Sequence, residues 1–140
     1  MMKEKITNKT IKKNMFDELD EDLNITAANL MDKVYEIPKL YNKWQRVYFI
    51  QKKKLNRKVK ELDDLYRKKY YFYKDGDRLM SNAKEIDFNV ISDEEYTTLR
   101  LQVESLKDLV KILEKSIDRI GKLSFDVKNI IDWNNFLNGQ

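Results

Sequence analysis

The sequence predicts a mainly α-helical protein, a bundle of long helices with one short strand or extended segment among them. Three observations carry that expectation. Only three glycines and one proline interrupt 140 residues, too few for the tight turns of sandwiches and barrels. Apolar residues step by three and four over long runs, most regularly between Tyr96 and Ile120, which is the helical period. Charged residues make up 37% of the chain and apolar ones 41%, enough for a core but not for covering every helix face. Such a composition suits long half-exposed helices, or a surface hidden in an oligomer.

Taken in order, residues 1–22 are polar and mixed in charge and close on the acidic run DELDED, Asp17 to Asp22. They read as a flexible arm, solvated or competing for a basic surface elsewhere on the chain. A helical domain follows over residues 23–125. Its first helix is short, with Leu23, Ala27, Leu30, Met31 and Val34 at helical spacing. It is expected to end near Ile37, because Pro38 disfavours helical geometry in the residue before it. A long second helix then runs from about Pro38 to Tyr73, with Gly76 as its left-handed terminator. In Ile86 to Ile91, apolar Ile86, Phe88 and Val90 alternate with Asp87 and Asn89, so a short strand or extended segment is expected there. Ser92 and Glu95 have the spacing of a capping box for a third helix. That helix carries Tyr96, Leu99, Val103, Leu106, Val110, Leu113, Ile117 and Ile120 on one stripe, widened by Leu109 and Ile112. Gly121 is expected to interrupt it. Residues 126–140 would form a last amphipathic helix with Val127, Ile130, Ile131, Trp133 and Phe136.

Composition excludes several kinds of chemistry. The chain has no cysteine and no histidine, so disulfides, thiolate zinc sites, the thiol nucleophile and the usual general base are all missing. No glycine-rich phosphate loop or nucleophile elbow is present. We expect a non-enzymatic protein with no cofactor, no metal and no catalytic residue. No run of about twenty apolar residues suits a membrane span, and residues 1–22 lack the apolar core of a signal peptide. The cytoplasm is the expected location, with no membrane partner.

The net charge of +4 hides an asymmetry. From Lys39 to Lys74 there are 13 Lys/Arg against 3 Asp/Glu, a local charge of +10, while the remainder carries −6. On a helical wheel, Leu55, Val59, Leu62, Tyr66, Tyr70 and Tyr73 fall on one side. Lys53, Lys54, Arg57, Lys60, Arg67 and Lys68 fall on the other, together with Tyr71 and Phe72, and Lys69 sits at the flank. Lys74 follows at the helix end. Rings exposed among cations suit single-stranded nucleic acid, where cations take the phosphates and rings stack on unpaired bases. A duplex hides its bases and rewards the charge alone. The plainer alternatives are a solvated basic face and rings packed against another subunit.

The run LYNKW (Leu40 to Trp44), the lysine-rich helix, RKKYYFYKDG closing it, and FDVKNIIDWNNFLNG (Phe125 to Gly139) resemble the UvsY recombination mediators of tailed phages. The matches keep their order from about Leu23 to the C-terminus. The resemblance implies a ring-like homo-oligomer, hexameric or heptameric, that binds single-stranded DNA. It also implies a role in helping a RecA-like recombinase displace a single-strand-binding protein, in the cytoplasm of the host cell. The family's basic-x-basic pair, just before two aromatics, maps to Arg67 and Lys69, or by a slip of one position to Lys68 and Tyr70; Arg67, Lys68 and Lys69 together cover both registers. The chain departs from the family in one extra residue before Gly76 and in Tyr70-Tyr71 where an aliphatic and an acidic residue are usual. The family's C-terminal segment carries oligomerisation, which maps to Val127, Ile130, Ile131, Trp133 and Phe136. The main alternative is a coiled-coil adaptor whose basic helix binds an acidic protein partner.

Overall fold

The computed structural model describes residues 15–76 and 82–139. Four helices account for nearly all of them: α1 (15–23), α2 (Leu30–Gly76), α3 (Ala83–Ser92) and α4 (Glu94–Leu137). The chain divides into two compact units. Among the described residues, one comprises 15–44 together with 117–139; the other comprises 45–76 and 82–116.

In the first unit, α1 stands where a loose arm was expected. Residues 1–14 lie outside the described residues, but 15–22 are helical and Leu19 is buried. The acidic run is anchored at its end. Asp22 accepts hydrogen bonds from Lys43 Nζ at 2.8 Å and from the Trp44 indole at 2.9 Å, and Glu18 pairs with Lys43 at 2.6 Å. Trp44 is almost wholly buried, so its N–H requires such an acceptor. Burial alone would lower the Lys43 pKa; the bonds to Asp22 and Glu18 outweigh it and hold the ammonium above its ordinary value.

The expected short helix from Leu23 does not form. Residues 24–29 turn instead, through reciprocal bonds between Thr26 and Asn29: the Thr26 N–H donates to Asn29 Oδ1 at 2.7 Å and the Asn29 N–H to Thr26 Oγ1 at 3.4 Å. Asn29 then starts α2, its carbonyl accepting from the Lys33 N–H at 2.9 Å. From Leu30 the helix passes straight through Pro38. The proline forfeits one backbone bond, yet Ile37 and Trp44 on either side are buried, and packing rather than local propensity sustains most protein helices. Gly121 likewise lies inside α4, with Tyr41 3.9 Å from where its Cβ would stand. The expected break between a third and a last helix is therefore absent.

In the second unit, residues 83–92 form α3, not the expected strand, and no strand occurs among the described residues. The reason is in the spacing. Ile86 and Val90 are four apart and both buried, whereas Phe88 is 69% exposed; the alternation concealed one turn of helix. Asn82 caps α3, its side chain accepting from the Lys84 N–H at 2.9 Å. The α4 cap is Asp93 rather than Ser92, its Oδ1 accepting from the Tyr96 N–H at 3.0 Å. Gly76 ends α2 in helical geometry, and Gly139 alone among the described residues has a positive φ.

The α4 stripe is buried at Val103, Leu106, Leu109, Val110, Leu113, Ile117 and Ile120, while Ile112 is 42% exposed and does not widen it. Leu113 has no exposed surface. Leu113→Ala should cost about 2–5 kcal/mol through lost transfer energy and the cavity left behind, read as a lowered urea midpoint with unchanged slope.

Candidate nucleic-acid interface

Within the second unit, α2 divides by polarity as its wheel requires. Leu55, Val59, Leu62, Tyr66, Tyr70 and Tyr73 are half-buried, and Lys53, Lys54, Arg57, Lys60, Arg67, Lys68 and Lys74 are exposed. Tyr71 and Phe72 are 60% and 64% exposed. Each outward ring rests on an inward one: Tyr71 meets Tyr70 edge-on at 6.0 Å, and Phe72 meets Tyr73 edge-on at 5.2 Å. The inward rings are fixed in turn. Tyr73 donates its hydroxyl to Asp93 at 2.7 Å. Tyr70 lies 6.2 Å from Tyr66, which donates to Asp87 and packs edge-on against Tyr96 at 5.9 Å. The result is an aromatic pair standing in water on a braced base, the preorganisation a stacking platform needs.

These bonds raise the pKa of both phenols. The bond to Asp87 pushes the Tyr66 pKa up to about 12, and the bond to Asp93 raises that of Tyr73. Burial by itself would raise the Asp93 pKa, but the Tyr73 hydroxyl, the Tyr96 N–H and Lys69 together hold it below the ordinary carboxylate value. Asp93 thus caps α4, anchors Tyr73 and pairs with Lys69.

Lys69 stands apart from its neighbours in sequence. Its ammonium lies 2.9 Å from Glu95 and 3.3 Å from Asp93, with its side chain only 18% exposed. The bond to Glu95 is the main reason its pKa is raised. It also sits 5.7 Å from the centre of the Phe72 ring. Arg67 and Lys68 face solvent; Lys69 ties α2 to the start of α4. Sequence reasoning placed Lys69 at the flank but missed Asp93 and Asp87, whose partners lie about twenty residues away.

The C-terminal set, in the first unit, separates into two faces. Val127 is buried and Ile131 half-buried, lining an apolar groove with Val34, Ile37 and Pro38. Ile130, Trp133 and Phe136 are 46%, 59% and 71% exposed, and the last two rings stack at 5.7 Å. Part of this helix is satisfied within the chain, and its aromatic end is not. Among the described residues there is no cluster of three His, Cys, Asp or Glu placed to hold a metal ion, and no helix long and apolar enough to cross a membrane.

The chain is similar to known proteins in sequence and in fold. The sequence model described as recombination, repair and ssDNA binding protein UvsY matches residues 18–140. Among solved structures, the fold is similar to that of the bacteriophage T4 recombination mediator protein UvsY, with a TM-score of 0.79 and 21% identity, covering 89% of this chain and 96% of that one. No curated protein sequence matches significantly.

Proposed function

The chain belongs to the UvsY family of recombination, repair and single-stranded-DNA-binding proteins, and we propose that it acts as a recombination mediator, binding single strands through the outward face of α2. The observation that carries this reading is the braced pair Tyr71 and Phe72, exposed beside Arg67 and Lys68. Cations at Lys53, Lys54, Arg57, Lys60 and Lys74 extend the phosphate-binding track, and the rings take unpaired bases. Portions 23–125 and 126–140 divide the work: the first grips the strand, and the second, through Ile130, Trp133 and Phe136, joins copies of the chain into a hexameric or heptameric ring. Several basic faces on one ring raise the effective concentration of contacts, which multiplies affinity by roughly 10²–10⁴ without any new contact.

A strand gripped at many points is partly taken from a single-strand-binding protein and presented to a RecA-like recombinase in the host cell's cytoplasm. The test is recombinase ATP hydrolysis on a strand covered by single-strand-binding protein. The chain should shorten the lag before steady hydrolysis; an unchanged lag at saturating protein rules out mediation.

Lys69 contributes by position in this scheme, because its charge is already committed to two carboxylates. Alanine at Arg67 and at Lys68 should each reduce the slope of log K against log salt by about 0.7, the value per phosphate neutralised on a single strand. Lys69→Gln should lower the melting temperature and weaken binding with the slope unchanged. A slope reduced as in the Arg67 variant would instead place a phosphate on Lys69.

A further inference from the structure

The basic block of α2 is not one patch. Residues 45–60 carry seven Lys/Arg and no acid, and residues 65–74 carry four and no acid. All three acids of the block, Glu61, Asp63 and Asp64, fall in the single turn between them, and all are exposed. At 100° per residue these three spread across the outward face. Glu61 is paired with Lys58 at 3.3 Å; Asp63 and Asp64 would repel a phosphate backbone in the middle of the track.

Each basic segment has its own exposed apolar pair. The second has Tyr71 and Phe72; the first has Phe49 and Ile50, 60% and 64% exposed. Phe49 lies 22 residues before Tyr71, close to six whole turns, so the two rings point within about 40° of each other and stand about 33 Å apart along the helix. Their bracing is also alike. Phe49 meets the half-buried Tyr48 edge-on at 6.1 Å, as Tyr71 meets Tyr70. Tyr48 is held by Lys52, whose ammonium donates to its hydroxyl at 3.1 Å. Exposed Arg46 and Lys53 stand one turn to either side of Phe49. A ring in water, braced from behind and flanked by cations, therefore occurs twice on one face.

We propose that Phe49 is a second base-stacking residue, at the centre of a separate single-strand contact on the N-terminal side of the acidic turn. The strand is gripped around Phe49, by Arg46, Lys53 and the cations up to Lys60, and again at Arg67, Lys68 and Tyr71, and is lifted away from the helix over the acidic turn, residues 61–64. The occupant is a nucleic acid strand, because the segment around Phe49 carries seven positive charges, of which Lys58 is paired, with Glu61 at 3.3 Å. This rests on the single-strand-binding reading above. Even at twice the 3.4 Å rise of a duplex strand, about 5 nucleotides are needed to join the two rings.

The test uses an oligothymidylate of about 16 nucleotides with the full chain and its Phe49→Ala, Phe49→Leu and Phe49→Trp variants, alongside Tyr71→Ala/Phe72→Ala. Loss of one stacked base should weaken binding by roughly 10-fold in Phe49→Ala and Phe49→Leu. Phe49→Trp should bind as the native chain does, and the salt slope and the sedimenting mass should be unchanged in all three. Native affinity in Phe49→Leu, or a fall in mass, would overturn the proposal by making Phe49 a packing or subunit-contact residue. The Tyr71→Ala/Phe72→Ala variant separates the two claims. If it loses affinity while Phe49→Ala does not, the second contact alone fails. If the native chain itself does not bind the strand, both readings fail together.

Discussion

Tyr71→Ala/Phe72→Ala is expected to weaken binding to a single strand by about 30-fold at least, and to leave binding to a duplex as it was. Each base stacked on a ring contributes about 1–3 kcal/mol, and two such losses exceed 2 kcal/mol, where every 1.4 kcal/mol is tenfold. Neither ring is part of the core, since both are more than half exposed. The variant should therefore stay folded, losing at most about 0.5–1.5 kcal/mol for each edge-on pair with Tyr70 and Tyr73. No cation is removed, so the salt slope stays the same while the intercept drops. Loss of charge would have the opposite signature, a shallower slope. Polarisation titrations on both strand forms at three salt concentrations read all of these effects. Equal losses on single strand and duplex would show that the rings support the helix rather than the bases.

The second large effect is expected at the C-terminus. Trp133→Ala/Phe136→Ala removes the stacked pair that stands 59% and 71% exposed at the end of α4. Two stacked rings left in water expose an apolar surface of the kind that marks a contact with another protein, and the proposed ring places another copy of the chain there. Sedimentation velocity should show a shift from oligomer to monomer. Affinity for a long strand should fall by roughly 10²–10⁴ as the contacts cease to be linked. Helical content should hold, because Val127 and Ile131 on the opposite face remain seated against the chain's own groove. An unchanged mass would remove the rings from the subunit interface and with it the multivalent account of affinity.

The two faces of the candidate interface are legible in the sequence because a helix with contrasting faces announces itself in one dimension. The positions that separate Leu55, Val59 and Leu62 from Lys53, Arg57 and Lys60 follow from 3.6 residues per turn alone, and the structure exposes them accordingly. The departures share a cause. Local chemistry makes Pro38 and Gly121 breaks, but packing around Ile37, Trp44 and Tyr41 carries both helices through. Ile86, Phe88 and Val90 fit a strand of period two as well as one turn of helix, and burial of the outer pair decides for the helix. DELDED is polar enough to suit a solvated arm, yet Leu19 within it is buried and Asp22 receives the Trp44 indole. Long-range ties were not legible at all. Nothing near Asp93 in sequence points to Tyr73 or Lys69, so the role of Lys69 as a tie between helices emerges only from the fold.

Single-strand recognition by α2 is tested by equilibrium binding of the native chain to a labelled single strand and to its matching duplex across a salt series. Binding to the single strand should be tighter at every salt concentration. The advantage should persist at high salt, because stacking on Tyr71 and Phe72 is not screened as charge is. Equal affinity for the two forms, vanishing together as salt rises, would contradict it and leave the outward face of α2 as a basic surface for an acidic protein partner.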